Sequence, residues 1–132
     1  MDSAQGEGLL MTYKPQIVAA YYVACGLPKP EFEFRFHPTR KWRFDIAWPS
    51  TTNGLFIEVQ GGIFIAGGHN RGAQMLKDFE KWNEATCLDW RGLWLQPKDL
   101  CTLETVKLIK RALGIESFDK PFRRPTEATP DR

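Results

Sequence analysis

Two short runs of β-type residues, joined by a polar loop, limit what this chain can fold into more than any other feature. The first is Arg43-Phe44-Asp45-Ile46-Ala47-Trp48 and the second is Leu55-Phe56-Ile57-Glu58-Val59-Gln60, with Ser50-Thr51-Thr52-Asn53-Gly54 between them. Both are rich in β-branched and aromatic residues and bounded by turn formers, so they read as a pair of strands in a hairpin. Side chains alternate across a strand. Glu58 and Gln60 therefore share one face and Ile57 and Val59 the other. On the first strand, Trp42, Phe44, Ile46 and Trp48 are expected on one face and Lys41, Arg43 and Asp45 on the opposite one. Hairpin pairing brings Asp45 beside Glu58 and Gln60. Two carboxylates and an amide oxygen at one spot suit a hard divalent cation such as Mg²⁺. The plainer reading of each acid is a solvated side chain at a strand end.

The rest of the chain supplies one domain's worth of elements. Pro15 and Gly26 punctuate a helix over about 15–25, with Ile17, Ala20, Tyr21 and Ala24 expected on its buried face. Pro28 and Pro30 lead into a strand on which Phe32, Phe34 and Phe36 face one way and Glu33, Arg35 and His37 the other. The phenylalanine stripe reads as core rather than as a platform for stacked bases. A helix follows Asn70, with Met75, Leu76, Phe79, Trp82 and Thr86 expected on its buried stripe and Gln74, Lys77, Asp78 and Lys81 on another face. Trp90 to Gln96 reads as a fourth strand with Leu93 and Leu95 inward. Leu103, Val106, Ile109 and Leu113 mark a last helix closed by Gly114. Residues 1–12 and 115–132 read as disordered flanks, the latter rich in Pro and charge, around a domain over 13–114.

Composition excludes several classes. The 132 residues carry a net charge of only +2, so overall charge does not announce a nucleic-acid binder. The distribution says more, because Arg35, His37, Arg40, Lys41 and Arg43 gather on one hairpin, where they can meet phosphates or form a solvated tip. The three cysteines are far apart, which fits neither a zinc ribbon nor a disulfide scaffold, and they are expected in the core. No run approaches the ~20 apolar residues of a membrane span, and no signal peptide opens the chain. These features lead to the expectation of a reduced cytoplasm, bacterial or that of a phage-infected host. Gly61-Gly62 and Gly67-Gly68 bracket Ile63-Phe64-Ile65-Ala66, a segment that reads as a DNA-binding loop, a short strand end or a subunit contact.

The order helix, strand, strand, strand, helix, strand, helix, with Asp at the second strand and Glu-x-Gln at the third, resembles the PD-(D/E)XK nuclease superfamily. The likeness runs over about residues 13–113 and is to its small phage and bacterial members: virus-type replication-repair nucleases, Holliday-junction resolvases and very-short-patch-repair-like endonucleases. Phe34 to Asp45 looks like their opening hairpin. Glu58-Val59-Gln60-Gly61-Gly62, followed by His69, Arg71, Asp78, Lys81 and Trp90-Arg91, looks like their second half. The resemblance implies a restriction-endonuclease-like α/β fold, a mixed four-stranded sheet flanked by helices. It implies a Mg²⁺- or Mn²⁺-dependent endonuclease acting on DNA, with branched substrates such as junctions or flaps favoured because no specificity domain is attached. Junction cutting would call for a homodimer.

The roles that follow from the resemblance are specific. Asp45 and Glu58 are the expected metal ligands, with the Val59 carbonyl as a further one. Gln60 stands where the superfamily usually has Lys, so it can position a water but brings no charge. Lys81 is then the candidate to reach the site from the helix, against the alternative of a surface lysine paired with its helical neighbours. His69 is placed like the histidine of the short-patch-repair-like members that acts near the scissile phosphate, against the alternative of a loop residue bonded to backbone. Arg35, His37, Arg40, Lys41, Arg43 and Arg71 are the expected DNA contacts. The rival reading is a catalytically impaired nucleic-acid-binding module that keeps the hairpin and does not turn over.

Overall fold

The computed structural model describes residues 13–50, 53–60 and 71–115. Within them the elements run α1 (Pro15–Ala24), β1 (Glu31–Arg35), β2 (Arg43–Trp48), β3 (Leu55–Val59), α2 (Arg71–Cys87), β4 (Arg91–Leu95), a 3₁₀ turn (Pro97–Asp99) and α3 (Leu103–Leu113). The four strands form one sheet in the order β1-β2-β3-β4. The first three pair antiparallel, and β4 runs parallel to β3. Parallel neighbours need a crossover, which α2 supplies. The fold is thus α/β with a mixed four-stranded sheet and three helices among the described residues.

Two apolar layers hold it. Val18 and Tyr22 of α1 and Val106 and Ile109 of α3 pack with Ile46, Trp48, Leu55, Ile57 and Val59 on one face of the sheet. Trp82 and Ala85 of α2 pack with Phe34, Phe36, Phe44 and Phe56 on the other. Caps close α3 at both ends: the Thr102 hydroxyl accepts from the Thr105 N–H at 3.2 Å, and Gly114 takes φ 76°. The Trp48 indole N–H donates to the Pro28 carbonyl at 2.9 Å and fixes the link from α1 to β1. Gly92 is required by contact, since a Cβ there would lie 2.2 Å from the Phe56 ring.

The strands depart from strict alternation at one place. In β1, Phe32 packs with α1 and α3, whereas Phe34 and, just past the strand, Phe36 lie under α2. In β2, Ile46 and Trp48 belong to the first layer and Phe44 to the second. The expected common faces for Phe32-Phe34-Phe36 and for Phe44-Ile46-Trp48 are corrected accordingly. The register runs on from Phe32↔Ile46 to Phe34↔Phe44, so both strands turn over together at Glu33 and Asp45. Glu33 makes this possible by adopting φ 53°, a left-handed conformation uncommon outside glycine.

Helix orientations also differ from expectation. α1 is apolar nearly all round, so its sequence does not select a face; Val18 and Tyr22 are buried, while Ile17, Ala20 and Ala24 are exposed. On α2, Met75, Leu76, Phe79 and Thr86 are exposed, and Asp78, Lys81, Trp82 and Ala85 face the sheet. The reason is position: that face of α2 lies over the end of the sheet where the acids are. Cys25 is half-buried, and Cys87 and Cys101 are exposed rather than in the core. Among the described residues no helix is long and apolar enough to cross a membrane.

Candidate active site

The break in alternation creates the site. The β2–β3 ladder pairs Trp48↔Leu55, Ala47↔Phe56 and Ile46↔Ile57. One step further, side chains take over from the backbone. The Asp45 N–H donates to Glu58 Oε2 at 3.3 Å, and the Val59 N–H donates to Asp45 Oδ2 at 2.7 Å. Each acid thus satisfies a backbone donor of the facing strand, which holds the two carboxylates side by side. Lys81 reaches down from α2 and donates to Glu58 Oε1 at 2.9 Å. Lys81 and Glu58 are well covered, their side chains only 17% and 12% exposed.

Burial sets the electrostatics. It pushes Glu58 up, the Asp45 charge pushes it further, and the lysine offsets only part of this, leaving Glu58 at about 7. Asp45 is also raised, by burial first; the Val59 N–H and Lys81 pull the other way, and Asp78 adds to the rise. The Tyr13 hydroxyl is pushed up by burial and then by the charges of Asp45, Glu33 and Glu58, which places this tyrosine in the field of the same acids.

The donor set fits a hard divalent cation. Two half-buried carboxylates stand against one lysine, so negative charge is undercompensated, and Mg²⁺ is commonly held by one or two carboxylates with water completing its shell. Among the described residues no third Asp, Glu, His or Cys joins them as a ligand group. A pH prediction follows. Glu58 holds its proton more tightly in the fold than in the unfolded chain. The resulting stability is fully present below about pH 4.5 and is lost as pH rises through about 7. At ~1.4 kcal/mol per unit, that rise amounts to roughly 3 kcal/mol. In EDTA the melting temperature should therefore fall between pH 4.5 and pH 8, and millimolar Mg²⁺ or Mn²⁺ at pH 8 should recover much of the loss. A melting temperature indifferent to both ions at pH 8 would remove the cation from this site.

The other expected site residues fall into place unevenly. Gln60 follows β3, half-buried, with its N–H on the Leu95 carbonyl at 2.8 Å. His69 and the glycine-bracketed segment before it lie outside the described residues, as do 1–12 and 116–132. Arg71 opens α2. His37 is engaged within the fold: its Nδ1 accepts the N–H groups of Thr39 and Arg40 at 3.2 and 3.0 Å. Its Nε2 must then carry the proton, directed at Glu84 Oε1 at 3.1 Å. Arg40 lies over the Trp42 ring at 3.9 Å and meets Glu80 at 3.0 Å, an exposed pair of little strength. Arg35, Lys41 and Arg43 are exposed, and Arg35 and Arg43 stand opposite each other in the β1–β2 register.

Two neighbours of the site had no role assigned from the sequence, although Asp78 stands among the residues that carry the resemblance. Asp78 and Trp94 line the same narrow crevice as Glu58, Lys81 and Trp82. Both were within reach: Asp78 precedes Lys81 by three residues on one helix face, and Trp94 lies between the inward Leu93 and Leu95. A larger, almost wholly apolar groove of about 510 Å³ between α1 and β1 shares no residue with this site. No family model, curated protein or solved structure matches the chain.

Proposed function

We propose that this chain is a metal-dependent DNA endonuclease with a restriction-endonuclease-like arrangement, selective for branched DNA. The observation that carries the reading is the convergence of Asp45, Glu58 and Lys81, two half-buried acids from adjacent strands and a lysine from the crossover helix. Asp45 and Glu58 would hold Mg²⁺ or Mn²⁺, with the Val59 carbonyl as a further ligand. Such a cation supplies a more acidic water and positive charge for the phosphoryl oxygens. Lys81 contributes a fixed positive charge where charge builds on the phosphate, and it stands in for the strand lysine that Gln60 replaces. Gln60 supplies a neutral amide to orient the attacking water. That water's oxygen bonds to phosphorus as the bond to one ester oxygen breaks, leaving a phosphate monoester and a hydroxyl end.

The hairpin supplies the grip. Like charges facing each other across strands are unfavourable, and a phosphate against Arg35 and Arg43 relieves the repulsion. Arg40 and Lys41 extend the basic surface. Contacts of this kind position DNA without reading its sequence, so duplex geometry decides. Two copies would suit paired nicks at a symmetric junction.

The test compares a four-way junction, a flap, a splayed arm and a linear duplex with Mg²⁺, Mn²⁺ or EDTA. Cleavage of the branched forms, dependent on metal, is expected. With about four phosphate contacts, affinity should fall by roughly two decades between ~50 and ~200 mM salt. Binding without cleavage in either metal would favour a nucleic-acid-binding module that does not turn over. Equal cutting of all four would remove the selectivity for branches.

A further inference from the structure

Among the described residues, Trp94 is the one large aromatic at the crevice that remains substantially open, 43% exposed. Exposure of this kind is unfavourable for an indole, which the fold covers elsewhere: Trp48 is buried, and Trp82 and Trp90 are half-buried. Nor is Trp94 loosely held. Its ring lies nearly parallel to Trp82, at 11° with centroids 5.0 Å apart, and Trp82 in turn meets Phe56 edge-on at 4.9 Å. The strand fixes it further, because Trp94 is the register partner of Glu58, one strand away, or about 4.8 Å between backbones. A rigid, offset-stacked indole with open surface thus stands beside the acid–lysine constellation.

We infer that Trp94 is a stacking platform for an unpaired nucleobase next to the phosphate that Asp45, Glu58 and Lys81 engage. This rests on the nuclease reading and narrows it, to DNA that offers a splayed base beside the cleaved bond. A base inside a duplex is covered on both faces and cannot stack there. A base at a flap, branch or single-stranded end can, and every base has a π face, so the contact selects for strand state and not for sequence. The ring is held before the ligand arrives, so little ordering is needed on binding. An apolar side chain of a protein partner is the competing occupant, and it would show no preference between single-stranded and duplex DNA.

The test uses the full chain in EDTA, so that binding is read without turnover. Wild type, Trp94→Ala, Trp94→Leu and Trp94→Phe are titrated with a short single strand and with a blunt duplex of the same sequence. Stacking of one base predicts a loss of about tenfold or more on the single strand for Trp94→Ala and Trp94→Leu, with Trp94→Phe restoring most of it. The duplex, held by phosphate contacts, should change less than about twofold. Bound single strand should quench tryptophan emission in wild type and much less in Trp94→Phe, although that variant still binds. Leu preserves apolar packing on Trp82, so a loss in Trp94→Ala alone, matched by a drop in melting temperature, would overturn the inference as a packing effect. Equal losses on both DNAs would overturn it too. If wild type binds and cuts DNA but ignores every change at Trp94, only this inference fails. If wild type binds neither DNA, the nuclease reading fails with it.

Discussion

Asp45→Asn and Glu58→Gln should each slow phosphodiester cleavage by about three orders of magnitude while leaving DNA affinity within a few fold. The amides are chosen because they keep the bonds to the facing strand, although Glu58→Gln gives up the one that Lys81 donates to Oε1. In Asp45→Asn the amide oxygen can still accept from the Val59 N–H, and in Glu58→Gln it can still accept from the Asp45 N–H, so the end of the β2–β3 ladder survives. What is removed is negative charge for holding a cation, a contribution worth several kcal/mol in comparable centres and about tenfold in rate per ~1.4 kcal/mol. Affinity should persist because Arg35, Lys41 and Arg43 are untouched. The two acids act on one centre, so the double variant should lose little more than either alone. Single-turnover cleavage of a flap, with binding followed by anisotropy, is the measurement. A rate within tenfold of wild type in either variant would place the chemistry elsewhere.

Lys81→Met should cost about a hundredfold in rate, and Gln60→Lys in the same chain should recover part of it. Methionine keeps the length and apolar stem that pack beside Phe44 and Trp82 and removes the charge. The loss is that of a positioned cation facing the developing charge on phosphate. A lysine introduced by Gln60→Lys would return a charge from the strand side. The pH profile carries a second signature. Lys81 holds Glu58 down against burial and the Asp45 charge. Without it Glu58 rises further above about 7, so the acid limb of the rate profile should move to higher pH. Unchanged rate and unchanged acid limb in Lys81→Met would leave water activation to Gln60, His69 or the metal.

Much of this architecture is legible in the residues. The runs Arg43–Trp48 and Leu55–Val59 declare themselves by composition and punctuation, and a hairpin between them sets Asp45 opposite Glu58 by register alone. Lys81 and Asp78 share a helix face by spacing, and the crossover through α2 follows from the order of elements. The last helix has both its Thr102 cap and its Gly114 stop in the sequence.

What periodicity could not supply is the direction of several faces. A period-two reading keeps Phe32 with Phe34 and Phe44 with Ile46, and the fold separates both pairs because β1 and β2 turn over together at Glu33 and Asp45. Nothing local marks a glutamate as left-handed; the cost of that conformation is met by apolar layers on both sides of the sheet, which only the assembled fold provides. The same holds for α1, whose nearly all-apolar surface has no preferred side, and for α2, where Lys81 faces inward because the acids lie beneath it and Asp78, three residues earlier on the same helix face, goes with it. Chain order and alternation determined which residues can meet. The burial that raises Glu58 and the open ring of Trp94 were decided by packing between elements distant in sequence, since desolvation is a property of the surroundings and not of the residue.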